Sequence, residues 1–290
     1  MIYLLALAAL GAPDRIRLEP LPKPAAGQVG QLGFSITAPW MRGHIDLRMP
    51  ETLVSSAGLH FIDHNRADMP PLSIPAIWPE WHTDARTGAI SYRYRTPEGM
   101  EFAAEATPLE DTVRLEFRER NMSSERLTGV GCQICLVLAP CEQLRERDTL
   151  EPIRAWFGGR FRSLAETTPT PAVKRREPWV LMRVRGRGEA YTGPMDYPDG
   201  WWVVDQIADE PVIARVTDDG KWLVAIEWGA GQTMLMTNTR IPCLHAGPSD
   251  SVSLAPGAEH VLRGTIYLVP NDPDRLAERL RKVWRKKPAG

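Results

Sequence analysis

At several points in this chain of 290 residues a flat aromatic side chain stands beside hydrogen-bonding groups. Trp78, the pair Trp81-His82, the pair Trp201-Trp202 ahead of Asp205, and the pair Glu227-Trp228 share this character. A pyranose has an apolar C–H face and a polar rim, so an indole next to a carboxylate or imidazole suits it. The candidate sugar-binding set is Trp78, Trp81, Arg66, Trp202, Asp205, Trp228 and Asn238. In a strand, one of Trp201 and Trp202 must face away from the core or lie under other structure. Much of the remaining tryptophan is expected to be core. His245 lies in the turn-rich stretch from Asn238 to Pro270, ahead of an apolar strand over Val261 to Val269, and is expected to sit exposed in a loop. There it either works on a ligand or hydrogen-bonds a loop carbonyl.

Other chemistry has less local support. Cys132 and Cys135 have the spacing of half a zinc site. They fall in an apolar run that reads as a buried strand, where residues three apart point to opposite faces. Such a pair cannot hold one ion, so both are read as small buried hydrophobes. His60 and His64 are four apart, as in zinc proteases, but Phe61 stands where the glutamate is needed and Asp63-His64-Asn65 reads as a turn. A metal site therefore requires two or more of His60, His64, His82 and His245 to converge with a carboxylate. No phosphate-binding glycine loop, P-loop or Gly-x-Ser-x-Gly elbow is present, so nothing local supports nucleotide or serine-hydrolase chemistry. Between Ala172 and Gly188, Arg and Lys alternate with apolar residues. This is a strand with a solvated basic face, or a surface for an acidic sugar, because guanidinium forks pair with carboxylate or sulfate.

The elements that must position these groups are mostly strands. Twenty-six prolines and 23 glycines break short apolar runs, a pattern of many strands and corners. Ile90, Tyr92 and Tyr94 alternate with polar residues, Thr96-Pro97-Glu98-Gly99 reads as a tight turn, and Val113, Leu115 and Phe117 alternate with charges. Gly158-Gly159 and Asp218-Asp219-Gly220 read as hairpin turns. The segment from Leu53 to Trp81 is irregular and reads as a long loop. Near the end, Asp272-Pro273 reads as a helix start, followed by Leu276, Leu280, Val283 and Trp284 at helical spacing beneath a basic face. Packing of that stripe on the domain is favoured over binding to an anionic surface.

A net charge of −1 gives no field that would draw nucleic acid. The apolar residues 1–12 are too few to span a bilayer. They have the apolar core of an export signal without its basic start, so the expected location is secreted or periplasmic. The expected division is a signal-like segment (1–12), one β-sandwich domain (13–270) and a basic amphipathic helix (271–290).

Three stretches together resemble galactose-mutarotase-like (aldose-epimerase-like) domains. Ile90 to Phe102 is similar to their strand–turn–strand unit, and Val113 to Leu127 to a strand ending in an Asn and a polar turn. Trp222 to Asn238, followed by Leu254-Ala255-Pro256-Gly257, is similar to their late strands and final turn. The resemblance covers residues 90–138 and 212–270. It implies an all-β fold: a large antiparallel β-sandwich with a short C-terminal helix, whose curved sheet forms a groove for sugars. It also implies a histidine acid and a glutamate base without any cofactor. His245, His82 or His64 with Glu227 are the candidates here, although the family's own pair cannot be matched position by position. Fold alone does not fix activity, so three readings stand. One is carbohydrate processing by His with Glu or Asp, acidic sugars included. The second is a non-catalytic glycan-binding or structural module, and the third is a metal-dependent enzyme with a histidine cluster.

Overall fold

The computed structural model describes residues 15–25, 30–63, 78–167, 179–185, 201–204, 206–229, 234–246 and 252–284. In chain order the first strands are β1 (Arg17–Pro20), β2 (Gly33–Thr37), β3 (Ile45–Ser55), β4 (Gly58–Ile62), β5 (His82–Thr83) and β6 (Ile90–Arg95). Then come β7 (Met100–Pro108), β8 (Thr112–Asn121), β9 (Leu127–Val137), β10 (Ile153–Phe157), β11 (Arg160–Ser163) and a short helix α1 (Leu164–Thr167). The later strands are β12 (Trp179–Arg183), β13 (Trp201–Val203), β14 (Val212–Val216), β15 (Trp222–Glu227) and β16 (Met234–Asn238). The chain continues through β17 (Cys243–Ala246), β18 (Val252–Leu254), β19 (Glu259–Pro270) and helix α2 (Pro273–Trp284).

These strands form two large, mostly antiparallel sheets. One has the order β1-β2-β3-β9-β17-β16-β12-β13, with β4 on β3 and β18 on β9; the other runs β11-β10-β14-β15-β19-β8-β7-β6-β5. The period-two pattern decides which side chains fill the space between them. On β8, Val113, Leu115 and Phe117 are buried in the main core while Arg114 and Arg118 are exposed. The Thr96–Gly99 corner closes with Gly99 N–H donating to Thr96 O at 3.0 Å, and Gly99 takes φ 89°, a value that favours glycine.

The Asn and the Pro-Gly turn picked out by the family resemblance meet in space. Asn121, fully buried at the end of β8, donates through Nδ2 to Leu254 O at 2.9 Å and to Glu125 O at 2.6 Å. Its Oδ1 accepts from the backbone and hydroxyl of Ser123. Its main-chain O accepts from Gly257 N at 2.7 Å. One side chain thus ties the polar turn after β8 to the corner before β19.

Helix α2 begins as its sequence indicates. Asp272 caps it, with Oδ1 accepting from Arg275 N at 2.9 Å, and Pro273 occupies the first helical position. Leu276, Ala277 and Leu280 are buried with Trp156, Ala214 and Leu223, on the outer side of the nine-stranded sheet. Arg279 forms a two-pronged bond to Asp111 at 2.7 and 2.9 Å, and Arg281 lies over the Trp156 ring. The apolar stripe of the helix is therefore spent on the sheet. No helix among the described residues is long and apolar enough to cross a membrane.

Two expectations need correction. The stretch after Leu53 is not one long loop: β3 runs on to Ser55 and pairs with β4, and only residues 64–77 lie outside the described part. The segment around His245 is not a loop either. Cys243–Ala246 is a strand in the middle of the ten-stranded sheet, flanked by β9 and β16.

Candidate functional site on the outer face of the ten-stranded sheet

Alternation along β9 separates two kinds of surface. Cys132, Ile134 and Leu136 point into the main core, whereas Cys135 and Val137 belong to the opposite, outer face together with Cys243. Antiparallel pairing then sets outer-face residues side by side across the sheet. Arg48 of β3 is opposite Cys135, Cys135 is opposite His245, and His245 is opposite Met236 of β16. The neighbouring row runs from Val137 through Cys243 and Asn238 to Trp179 of β12. The register of β3 on β9 shifts between Arg48 and Thr52. A bulge of this kind re-aims the side chains inside it, and here it brings Glu51 onto His245.

The resulting cluster is closely bonded. His245, fully buried, has Nδ1 3.2 Å from Glu51 Oε2. Gln133 Nε2 lies 2.9 Å from the same ring nitrogen and donates to Glu51 Oε2. On the other side of the ring, Nε2 is 3.0 Å from Cys243 Sγ and 3.4 Å from Cys135 Sγ. The Trp179 indole packs edge-on to the imidazole, with centroids 5.7 Å apart. Arg48 pairs with buried Asp63 at 2.9 Å and lies 3.9 Å from Glu51. Arg48, Gln133 and Trp179 are partly exposed, so the cluster meets solvent through them.

Burial alone would raise the Glu51 carboxyl, but His245, Gln133 and Arg48 outweigh it and bring it down to about 2. Burial would likewise lower His245, yet the Cys243 thiolate and Glu51 hold its pKa at about 10. Cys243 falls to about 5, chiefly through a hydrogen bond from the Cys135 thiol, with His245 adding to it against the effect of burial. Cys135 is pushed up by burial and stays protonated. These directions favour the carboxylate, the imidazolium and the thiolate side by side. Each charge has an opposite neighbour, as buried charges require. A group of this kind holds a proton on a histidine nitrogen.

Of the other expected site residues, Asn238 lies on this same face between Cys243 and Trp179, and the rest that are described fall elsewhere. Glu227 is buried on the outer side of the other sheet, beneath α2, where Oε1 accepts from Gly229 N at 3.0 Å and Trp284 Nε1 at 3.3 Å. The sandwich stands between it and His245, so the two cannot act on one ligand. His82 is exposed on edge strand β5 of that same sheet. Trp228 is fully buried in the core and fills the space over Gly264, whose missing Cβ would lie 2.0 Å from the ring. Trp78 is core as well, and Trp81 is half-buried against Phe34 and Tyr92. Asn238 is buried and caps the turn that follows it, accepting from Arg240 N and Ile241 N. His60 bonds Ser55 Oγ at 2.7 Å, and His260 bonds Glu119 at 3.0 Å. His64, Arg66 and Asp205 lie outside the described residues, as does the side chain of Trp202. No second histidine among the described residues joins His245 in a metal-ligating group; its companions are two cysteines.

Sequence reasoning found His245 and missed Glu51, Gln133, Arg48 and the thiols. One signal was available: Cys243-x-His245 puts both side chains on one face once the segment is read as a strand. The other partners are brought in by cross-strand pairing and by the bulge, which leave no mark in local spacing.

No protein-family model matches the sequence, and no curated protein sequence matches it. Solved structures do. One is a galactose mutarotase related enzyme from Lactobacillus acidophilus, at 10% identity over 87% of this chain and 97% of that one, TM-score 0.45. Another is a galactose mutarotase-like protein from Clostridium acetobutylicum, at 11% over 78% and 79%, TM-score 0.42. A third is an alpha-N-acetylgalactosaminidase from Bifidobacterium bifidum, at 12% over 93% of this chain and 37% of that one, TM-score 0.48. The chain is remotely similar in fold to galactose-mutarotase-like structures. Likeness at this level says nothing about chemistry, which rests on the site itself.

Proposed function

We infer that the protein binds a carbohydrate on the outer face of its ten-stranded sheet and processes it by proton transfer through His245 and Glu51. The observation that carries this reading is the Glu51–His245 couple, held on one face beside the partly exposed Arg48, Gln133 and Trp179. Guanidinium and amide groups suit a sugar's hydroxyl rim, and an indole suits its C–H face. Glu51 orients the ring at Nδ1, and proton exchange with a ligand requires Nε2 to be uncovered from Cys243 and Cys135, because His245 is fully buried. Arg48 also suits a carboxylated sugar.

Thermal-shift measurements with neutral and acidic mono- and oligosaccharides test this reading. A sugar bound only by the native state at about 100 times its dissociation constant stabilises by about 2.7 kcal/mol. The expected result is a rise in Tm for the wild-type protein that shrinks in Trp179→Ala. Turnover of that sugar establishes processing, and binding without turnover leaves a glycan-binding module. No shift with any sugar in the panel would overturn the reading.

A further inference from the structure

The outer-face cluster contains an arrangement that sugar handling does not call for. Two cysteines and a histidine, from two neighbouring strands, point their sulfurs and a ring nitrogen at one spot. Cys243 and His245 are two apart on β17 and so share a face, and Cys135 lies directly across from His245 on β9. The ligand atoms of all three lie within 4.8 Å of one another. Zinc held at about 2.3 Å from sulfur and about 2.05 Å from nitrogen in a tetrahedron sets its S–N separations near 3.6 Å. The observed separations from His245 Nε2 are 3.0 Å to Cys243 Sγ and 3.4 Å to Cys135 Sγ. Both are shorter than the zinc value, so each sulfur would move outward by a few tenths of an ångström to admit the ion.

We propose that Cys135, Cys243 and His245 bind a zinc-class divalent ion, with Glu51 fixing the histidine from behind. Histidines that ligate metals typically donate their other ring N–H to a carboxylate, which sets tautomer and orientation. Glu51 is already placed for this at His245 Nδ1, leaving Nε2 for the ion. Two thiolates and one imidazole select zinc, or cobalt in its place, over calcium or magnesium, which take oxygen ligands. Three protein ligands leave one tetrahedral position for water or a ligand oxygen, the pattern of an open rather than a closed site. Cys132 takes no part, because it faces the core.

The proposal shares His245 and Glu51 with the carbohydrate reading, but it rests on the two sulfurs, which that reading does not use, and so does not require it. Where both hold, Nε2 is committed to the ion and the imidazole no longer transfers a proton, so what the two readings share is sugar binding by Arg48, Gln133 and Trp179.

The test uses the full chain, reduced and stripped with a chelator, then titrated with Co2+ followed by Zn2+. The expected result is one Co2+ per chain, an intense near-ultraviolet thiolate-to-cobalt band, tetrahedral visible bands, and their loss on adding one equivalent of Zn2+. Cys135→Ser and Cys243→Ser should each weaken binding at least tenfold, while Cys132→Ala keeps the spectrum. Because a buried variant can fail to fold, X-ray absorption on zinc-loaded wild type supplies an independent reading. Two sulfurs at about 2.3 Å are expected. A shell of nitrogen and oxygen only, or no cobalt–thiolate band in the wild type, would overturn the proposal. Sugar binding measured on the chelated protein reads the carbohydrate proposal separately.

Discussion

His60 shows how one buried side chain makes stability depend on pH. It is 1% exposed and bonds Ser55 Oγ. Burial, only partly opposed by Glu98, lowers its pKa below the usual 6.5. A lowered folded-state pKa means that the unfolded chain takes up the proton first. The stabilising contribution is therefore complete above about pH 6.5 and is lost as the pH falls through the lower folded value. His60→Gln, which can keep a hydrogen bond to Ser55, should flatten the loss of Tm between pH 7 and pH 5. An unchanged slope would show that other groups set the acid limit. At this scale the sequence spoke unevenly. It singled out His245, and it marked the end of β8 at Asn121, because Asn121-Met122-Ser123-Ser124 signals a turn. It was silent on Glu51. That residue follows Pro50, and its contact with His245 depends on a bulge two strands away from the histidine.

Strands and their corners were the most legible elements, since period-two alternation and turn residues are local signals. The segments Ile90–Arg95, Thr112–Asn121 and Trp222–Glu227 are strands as their patterns indicate, and α2 starts at its cap. The pattern misled where a strand is covered on both sides. β17 carries Cys, Leu, His and Ala with no polar alternation, and its flanking Pro and Gly imitate a loop. β19 shows the complementary effect: Gly264, which as sequence looks like a weak point in a strand, is required by packing. Its Cβ would meet the Trp228 ring at 2.0 Å. Gly264→Ala should destabilise by roughly 1–3 kcal/mol, as overpacked cores do, read from the urea midpoint. A loss below about 0.5 kcal/mol would mean that Trp228 is free to move aside.

The whole molecule is a sandwich with two outer faces of different character. On the nine-stranded sheet, α2 covers the apolar outer surface and closes over Glu227. On the ten-stranded sheet, the outer face carries a charged row of Arg48, Glu51, Asp63 and His245. Sandwich architecture explains why a histidine and a glutamate that look like partners along the chain cannot be partners in space. It also explains why tryptophans such as Trp78 and Trp228 are core rather than platform. The central claim is that ligand chemistry belongs to the His245 face. Its most direct measurement is a calorimetric titration of a stabilising sugar into wild type, Glu51→Gln and Glu227→Gln. Loss of the carboxylate that holds Gln133 and Arg48 in place should weaken binding of that sugar about tenfold in Glu51→Gln, equivalent to about 1.4 kcal/mol, and leave Glu227→Gln close to wild type. Full affinity in Glu51→Gln with loss in Glu227→Gln would contradict the account and move the site to the opposite sheet.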